Sequence, residues 1–294
     1  MADRQGSPGT RLRLAYEARC IAVPGVFNAL VAKMAEEAGF EAAYLSGAAL
    51  SAGLAAVPDV GLLSVTEFVD QARYLAAASD LPLIVDIDTG FGAPLSVERA
   101  VRQMEAVGAA AVQIEDQQMP KRCGHLSGKA LVEAEEMEQK VRAAVAARTD
   151  PAFVVIARTD ARGVTGMDDA VARARRYVDA GADVIFPEAL ESREEFAEFA
   201  RLVDAPLIAN MTEFGRGPLL SVSELDAIGY RMVLFPVTAF RLAMRTVREA
   251  LGEIRETGTQ RRLVDRMLTR AELYDLLEYD GYEERDRSYF GGRR

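Results

Sequence analysis

The stretch Lys121-Arg122-Cys123-Gly124-His125 places the only histidine of the chain two positions after one of its two cysteines, behind two cations and beside a glycine. Cations next to a thiol increase its thiolate fraction, and a thiol can also hand a proton to a carbanion. The plainer alternatives are an inert loop cysteine and a histidine that only hydrogen-bonds. A second set of candidates sits where apolar runs end: Ser46, Asp86 with Asp88, Glu115 with Asp116, Arg158 with Asp160, Glu188, and Asn210 with Thr212. Surface charge has no reason to select such positions. A carboxylate in an apolar run, as at Asp86, is costly unless a cation or donor meets it. Asp59, Asp86, Asp88 and Glu115 carry more negative charge than one arginine balances. Hard oxygen donors without His or Cys suit Mg²⁺, or Mn²⁺, held partly through water. An Asp/Arg ion-pair network is the structural alternative.

Only a particular arrangement of elements brings these groups together. In "EEAGFEAAYLS", "EAVGAAAVQIED", "VDAGADVIFPE" and "DAIGYRMVLFP" a helical stretch closes on glycine and a strand-length apolar run follows. "LPLIVDID", "DPAFVVIARTD" and "APLIAN" enter through proline, and "RCIAVPG" comes first. Between the runs the period is helical, as in Phe27, Leu30, Val31, Met34, Ala35 and Ala38, or Val97, Ala100, Val101, Met104 and Val107. Eight apolar strands alternating with amphipathic helices predict an α/β fold, a (β/α)8 TIM barrel in one domain over 1–294. Such a barrel gathers the strand-end residues around one mouth. Side chains two apart on a strand point the same way, so Asp86 and Asp88 face one side while Val85 and Ile87 face the other, and the same holds for Arg158 and Asp160. The glycines of "DTGFGAP" let the backbone turn sharply near a ligand. Residues 1–10 and 291–294 read as flexible. Helices after the eighth unit, with apolar faces at Leu263, Met267 and Leu268 and at Leu273, Leu276 and Leu277, exceed what a barrel needs and point to an oligomer.

Composition narrows the chemistry. A formal charge of −10 with no basic stripe argues against nucleic acid, and no apolar run has the length of a membrane span. "MADRQGSPGT" lacks a signal-like apolar segment, so the expected location is cytoplasmic. One histidine rules out Cys₂His₂ and HExxH zinc sites, and no GxSxG elbow is present.

"YLSG", "DIDTGFG", "IEDQ", "PKRCGH", "ARTDA", "FPEA", "ANMTEFG", "PVTAFR" and "TRAELYDLLEYDGYEE" together resemble the methylisocitrate lyases, short members of the isocitrate lyase and phosphoenolpyruvate mutase superfamily. The resemblance runs over nearly the whole chain, and the KRCGH loop is specific to the lyase branch. It implies a Mg²⁺-dependent barrel, assembled as a homotetramer whose subunits exchange a C-terminal helix. The implied reaction cleaves 2-methylisocitrate to pyruvate and succinate in propionate breakdown. It also implies that Asp86 and Asp88 bind the metal while Asp59 and Glu115 hold its waters. Ser46, Gly47 and Ala48, with Arg158, would receive the pyruvate part. Gly124, Glu188, Asn210, Thr212, Arg241 and Arg270 would receive the succinate part.

Breaking the C2–C3 bond of such a substrate needs a base for the hydroxyl, an electrophile for the forming ketone and stabilisation of the carbanion. On this reading Cys123 protonates the carbanion and Tyr44 is the candidate base. Gly124 lets the loop close, Lys121 and Arg122 hold the anion and tune the thiol, and His125 orients the loop or touches a carboxylate. Isocitrate lyase, 2,3-dimethylmalate lyase and oxaloacetate hydrolase are the competing activities, with pocket residues such as Phe186 and Leu234 deciding among them. A catalytically silent barrel that binds small acids is the non-enzymatic alternative.

Overall fold

The structure, a computed structural model, describes residues 6–122, 124 and 128–290. All eight apolar runs form strands: β1 Ile21–Pro24, β2 Ala43–Leu45, β3 Leu83–Asp86, β4 Ala111–Glu115, β5 Val154–Thr159, β6 Val184–Pro187, β7 Ile208–Asn210 and β8 Met232–Phe235. The helices are α1 Pro8–Ala18, α2 Ala29–Glu37, α3 Gly47–Ala55, α4 Val65–Ala78, α5 Pro94–Ala106, α6 Ala134–Ala147, α7 Met167–Asp179, α8 Arg193–Leu202, α9 Val222–Ile228, α10 Thr238–Thr257, α11 Arg270–Leu276 and α12 Tyr279–Tyr289. Four of the glycines that close helices, Gly39, Gly108, Gly181 and Gly229, have φ of 81°, 95°, 104° and 111°, the left-handed cap conformation.

The strands pair in parallel as β2-β3-β4-β5-β6 and β7-β8-β1. Single parallel bridges, Gly25 to Tyr44 and Ile185 to Leu207, join these two sheets at both edges. The eight strands thus follow one another around an α/β barrel. Alternate residues take opposite faces: Ala111, Val154 and Ile156 belong to the inner cluster, Val112, Ile114, Val155 and Ala157 to the layer against the helices. Gln113, Glu115 and Arg158 share the inward parity. The face expected of α5 is buried at Val97, Ala100, Val101 and Met104. In α2 the buried residues are Ala32 and Ala35, small side chains that permit close packing, whereas Phe27, Leu30 and Met34 are half-buried and Ala38 is exposed.

Of the segment 1–10 expected to be flexible, residues 1–5 lie outside the described residues and residues 8–10 are helical. α1 starts at Pro8 behind a Ser7 cap, a sequence signal for a helix start. Its Leu12 and Tyr16 enter the inner cluster of the barrel. Arg13 donates to the Ala152 carbonyl at 2.8 Å and to Asp183 at 2.7 Å, so α1 covers the end of the barrel where strands begin.

The chain divides into two compact units, Met1–Phe240, which contains every strand, and Arg241–Arg294. In the second unit a 3₁₀ turn at Arg261–Arg266 precedes α11 and α12, so Leu263, Met267 and Leu268 do not form the expected helical face. α10 has no buried residue, and Leu242, Val247, Leu251 and Ile254 are exposed. Among the described residues no helix is long and apolar enough to cross a membrane.

Candidate active site

β3 delivers Asp86 to the mouth and ends there. One Asp86 oxygen accepts the N–H of Gly47, the first residue of α3, at 3.1 Å, and the other accepts the Asp88 N–H at 3.0 Å. Asp88, at φ 48°, shares a side with Asp86 through a left-handed bend, which Asp tolerates better than most residues, rather than through continued strand geometry, and both carboxylates lie beside Gly47. Gly90 follows at φ 89°, and a Cβ there would lie 2.5 Å from Val97 and 2.9 Å from Ile114. That glycine seats the turn against the barrel wall rather than admitting a ligand.

Lys121 is buried here. Its Nζ hydrogen-bonds Asp59 and lies 2.8 Å from Asp88 Oδ1, although the latter contact is not aligned as a hydrogen bond. Burial opposes the ammonium charge, but Glu115, Asp88, Asp86 and Asp59 outweigh it and raise the Lys121 pKa. The charge expected beside the thiol is therefore directed into the acid cluster. On β4 and β5, Arg158 forms a two-pronged pair with Asp160, Nε to Oδ2 at 2.9 Å and Nη2 to Oδ1 at 3.0 Å. Glu115 approaches Arg158 at 3.1 Å, Glu188 at 3.6 Å, and the guanidinium sits 5.4 Å from the centre of the Phe186 ring.

Asp59, Asp86, Asp88, Glu115, Asp160 and Glu188 thus surround Lys121, Lys129 and Arg158, an excess of negative charge in a region withdrawn from water. The strain registers in proton affinity. Burial first, then Asp86, pushes Asp88 up to about 7, and burial raises Glu115 well above the usual carboxylate range despite Arg158 and Lys121. Neither Glu115 oxygen has a hydrogen-bond donor. Orphaned hard oxygens with surplus negative charge fit a divalent cation. Among the described residues no three Asp, Glu, His or Cys side chains are arranged to hold an ion unaided, so water or substrate would complete its shell.

Tyr44 points into the barrel and donates to Gln113 Oε1 at 2.5 Å. Burial and then the charge of Asp86 raise its pKa well above 10, so to act as the expected base it must first give up its phenol proton. Ser46 caps α3, accepting from Ala49 N–H at 3.5 Å, and Ala48 lies in the first turn of that helix. Asn210 donates to Glu188 at 3.2 Å and leaves its own Oδ1 without a partner, while Thr212 follows two residues after the end of β7 is reached. Gly124 is packed tightly: a Cβ would meet Arg158 Nη2 at 2.4 Å and Glu188 Cδ at 2.6 Å. Cys123 and His125 lie outside the described residues. Arg241 in α10 and Arg270 at the start of α11 belong to the second unit.

Sequence reasoning missed three residues, and it left the partners of a fourth, Asp116, unidentified. Gln113 is buried with its Nε2 unpartnered. Gln117 clamps the Arg122 backbone, donating to its carbonyl at 2.8 Å and accepting its N–H at 2.9 Å. Lys129 donates to the Gly124 carbonyl and to Asp160. Asp116 turns away from the mouth and accepts from Thr159, Tyr177 and the Asp160 N–H, each at 2.8 Å. For Gln113, two-residue spacing from Glu115 within β4 was an available signal; for Lys129 nothing local distinguishes it from a solvated lysine.

The Phosphoenolpyruvate phosphomutase family matches residues 12–255. A relative named 2-methylisocitrate lyase, from Aeropyrum pernix, is 54% identical over 95% of this chain and 90% of its own length. The crystal structure of a 2,3-dimethylmalate lyase superposes with a TM-score of 0.90 at 36% identity, covering 97% of this chain and 96% of that one. A phosphonopyruvate hydrolase in complex with oxalate and Mg²⁺ gives a TM-score of 0.87 at 34% identity over 96% and 99% of the two chains.

Proposed function

The chain belongs to the phosphoenolpyruvate phosphomutase family and is a carbon–carbon lyase of the methylisocitrate-cleaving kind; from that premise we propose how its residues perform the cleavage. The substrate is 2-methylisocitrate, the products are pyruvate and succinate, and the step belongs to propionate breakdown. The observation that carries the reading is the excess of buried, donor-poor carboxylate around Arg158 and Lys121.

Mg²⁺, with Mn²⁺ as a substitute, is the ion that Asp86 and Asp88 would hold directly and Asp59 and Glu115 through water; when bound it polarises the oxygens of the forming 2-oxo acid. The Mg²⁺-containing relative supports this choice. Arg158 binds the carboxylate of the pyruvate part, with the N–H groups at the start of α3, from Ser46 to Ala48, oriented by the helix. The C2 hydroxyl gives its proton to the base, for which the phenolate of Tyr44 is the candidate, the C2–C3 bond breaks, and its electron pair passes into an aci-carboxylate on the succinate part. Glu188, Asn210 and Thr212, with Gly124 and His125, receive that part. The Cys123 thiol delivers the proton to C3, a contribution of roughly 10²- to 10⁴-fold in rate. The working assembly is a homotetramer formed through the exposed face of α10 and the helices that follow.

The methylisocitrate relative at 54% identity favours this substrate over 2,3-dimethylmalate, whose lyase stands at 36%. The deciding experiment measures 2-oxo-acid release from 2-methylisocitrate, isocitrate and 2,3-dimethylmalate, with Mg²⁺ and with chelator, in the wild type and in Cys123→Ser. The reading expects 2-methylisocitrate to be cleaved fastest, chelator to abolish release and Mg²⁺ to restore it. Faster cleavage of either other acid would reassign the substrate. Undiminished release in chelator would remove the metal.

A further inference from the structure

Lys129 lies outside the groups just assigned, yet it makes two polar contacts next to the mouth. Its side chain is only 2% exposed, and its Nζ donates both to the Gly124 carbonyl and to Asp160 Oδ1, the latter at 2.7 Å. The same Asp160 carboxylate holds Arg158 through both its oxygens. The Asp160 backbone is fixed in turn, because its N–H donates to Asp116 at 2.8 Å. Asp116 is fully buried between Thr159, Tyr177 and Arg173, and Arg173 is itself tied to Asp169 at 2.9 Å. A continuous chain of charge-assisted bonds therefore runs from α7 through Asp116 and Asp160 to Lys129, and ends on the carbonyl of Gly124, a residue with no room for a Cβ beside Arg158 and Glu188.

We propose that Lys129 is a positioning residue for the reaction: with Asp160 it anchors Gly124 against Arg158, so the loop that supplies Gly124 and the arginine that binds the substrate are held by one carboxylate. The anchor rests on the proposed cleavage for its role in catalysis, but not for its existence. A solvated lysine would gain little from two such partners; a lysine withdrawn from water depends on protein acceptors for its hydrogen bonds, and here they are Asp160 and the Gly124 carbonyl. Asp160 has two loads, and they are coupled: what shifts Arg158 shifts the carboxylate to which Lys129 holds Gly124.

The test uses the full-length protein as Lys129→Met and Lys129→Arg, with steady-state cleavage of 2-methylisocitrate and hydrogen–deuterium exchange of the segment 118–132. Lys129→Met is expected to lower kcat by roughly 10- to 100-fold, the size of a lost charge-assisted hydrogen bond, with a smaller change in KM. Exchange in segment 118–132 rises several-fold while the barrel strands keep their protection, and Lys129→Arg recovers most of both. A Lys129→Met protein with unchanged kcat and unchanged exchange in this segment overturns the proposal. So does a Lys129→Arg protein that regains strand protection and thermal stability yet stays as slow and as loosely protected in 118–132 as Lys129→Met, because Lys129 would then serve the fold alone. If the wild type cleaves none of the three acids, the functional reading fails, and the exchange measurement still decides whether the anchor exists.

Discussion

Replacing Gly124 with alanine tests how closely the mouth is packed. The glycine is not in the left-handed region, so the added methyl acts through space alone. It would stand 2.4 Å from Arg158 Nη2 and 2.6 Å from Glu188 Cγ and Cδ. Ordinary carbon contacts begin at about 3.5 Å, so something retreats by roughly 1 Å. Arg158 is poorly placed to yield, being held by both oxygens of Asp160 and lying over Phe186. Glu188 is buried and accepts from Asn210. The backbone at residue 124 is the part that moves. A displacement of about 1 Å from a productive geometry costs on the order of 100-fold, or about 2.7 kcal/mol in transition-state stabilisation. Pyruvate release from 2-methylisocitrate, coupled to NADH oxidation in saturating Mg²⁺, measures kcat/KM directly. Because the barrel is untouched, the thermal midpoint is expected to move by less than about 2 °C. A Gly124→Ala protein of normal stability whose kcat/KM stays within about threefold of wild type refutes the packing argument.

Three further outcomes are expected. Gly9→Ala places a methyl 2.5 Å from the Ala152 carbonyl oxygen and unseats α1, lowering stability by roughly 1–3 kcal/mol in urea unfolding; an unchanged midpoint removes α1 from the fold's support. Burial pushes the Cys20 thiol up to about 11, so in a Cys123→Ser background it resists thiol reagents at pH 8 until the protein unfolds. The raised value favours the neutral thiol, so the stability it contributes is complete below pH 9 and lost as pH climbs through 11; Cys20→Ala flattens that decline, and an identical decline in the variant rejects the assignment. Glutamate at Leu251, which is 63% exposed on α10, is expected to reduce the assembly mass in light scattering, and an unchanged mass places the interface elsewhere.

The barrel was legible because its signals are local. A glycine cap followed by a short apolar run needs only a few neighbouring residues to be recognised, and all eight runs became strands. Their positions at strand ends placed Glu115 and Arg158 at the mouth from sequence alone. Asp88 shares a side with Asp86, but the strand had already ended there and a left-handed bend, not strand alternation, set its direction. α1 was overlooked although Ser7 and Pro8 announce it, because an isolated amphipathic stretch does not reveal what it will cover.

What the sequence by itself determined was therefore the order of strands and helices, the mouth at which acidic residues gather, and the chemistry those residue types can perform. The tertiary structure alone decided the partnerships. Lys121 meets Asp59 across 62 positions, Lys129 meets Asp160 across 31, and Asp116 faces Tyr177 across 61. Charges such as these look interchangeable along a chain, and each is free to be solvated until folding removes the water around it. Once buried, a charge must find a counterpart within a few ångströms, and only the closed path of the backbone determines which one is there.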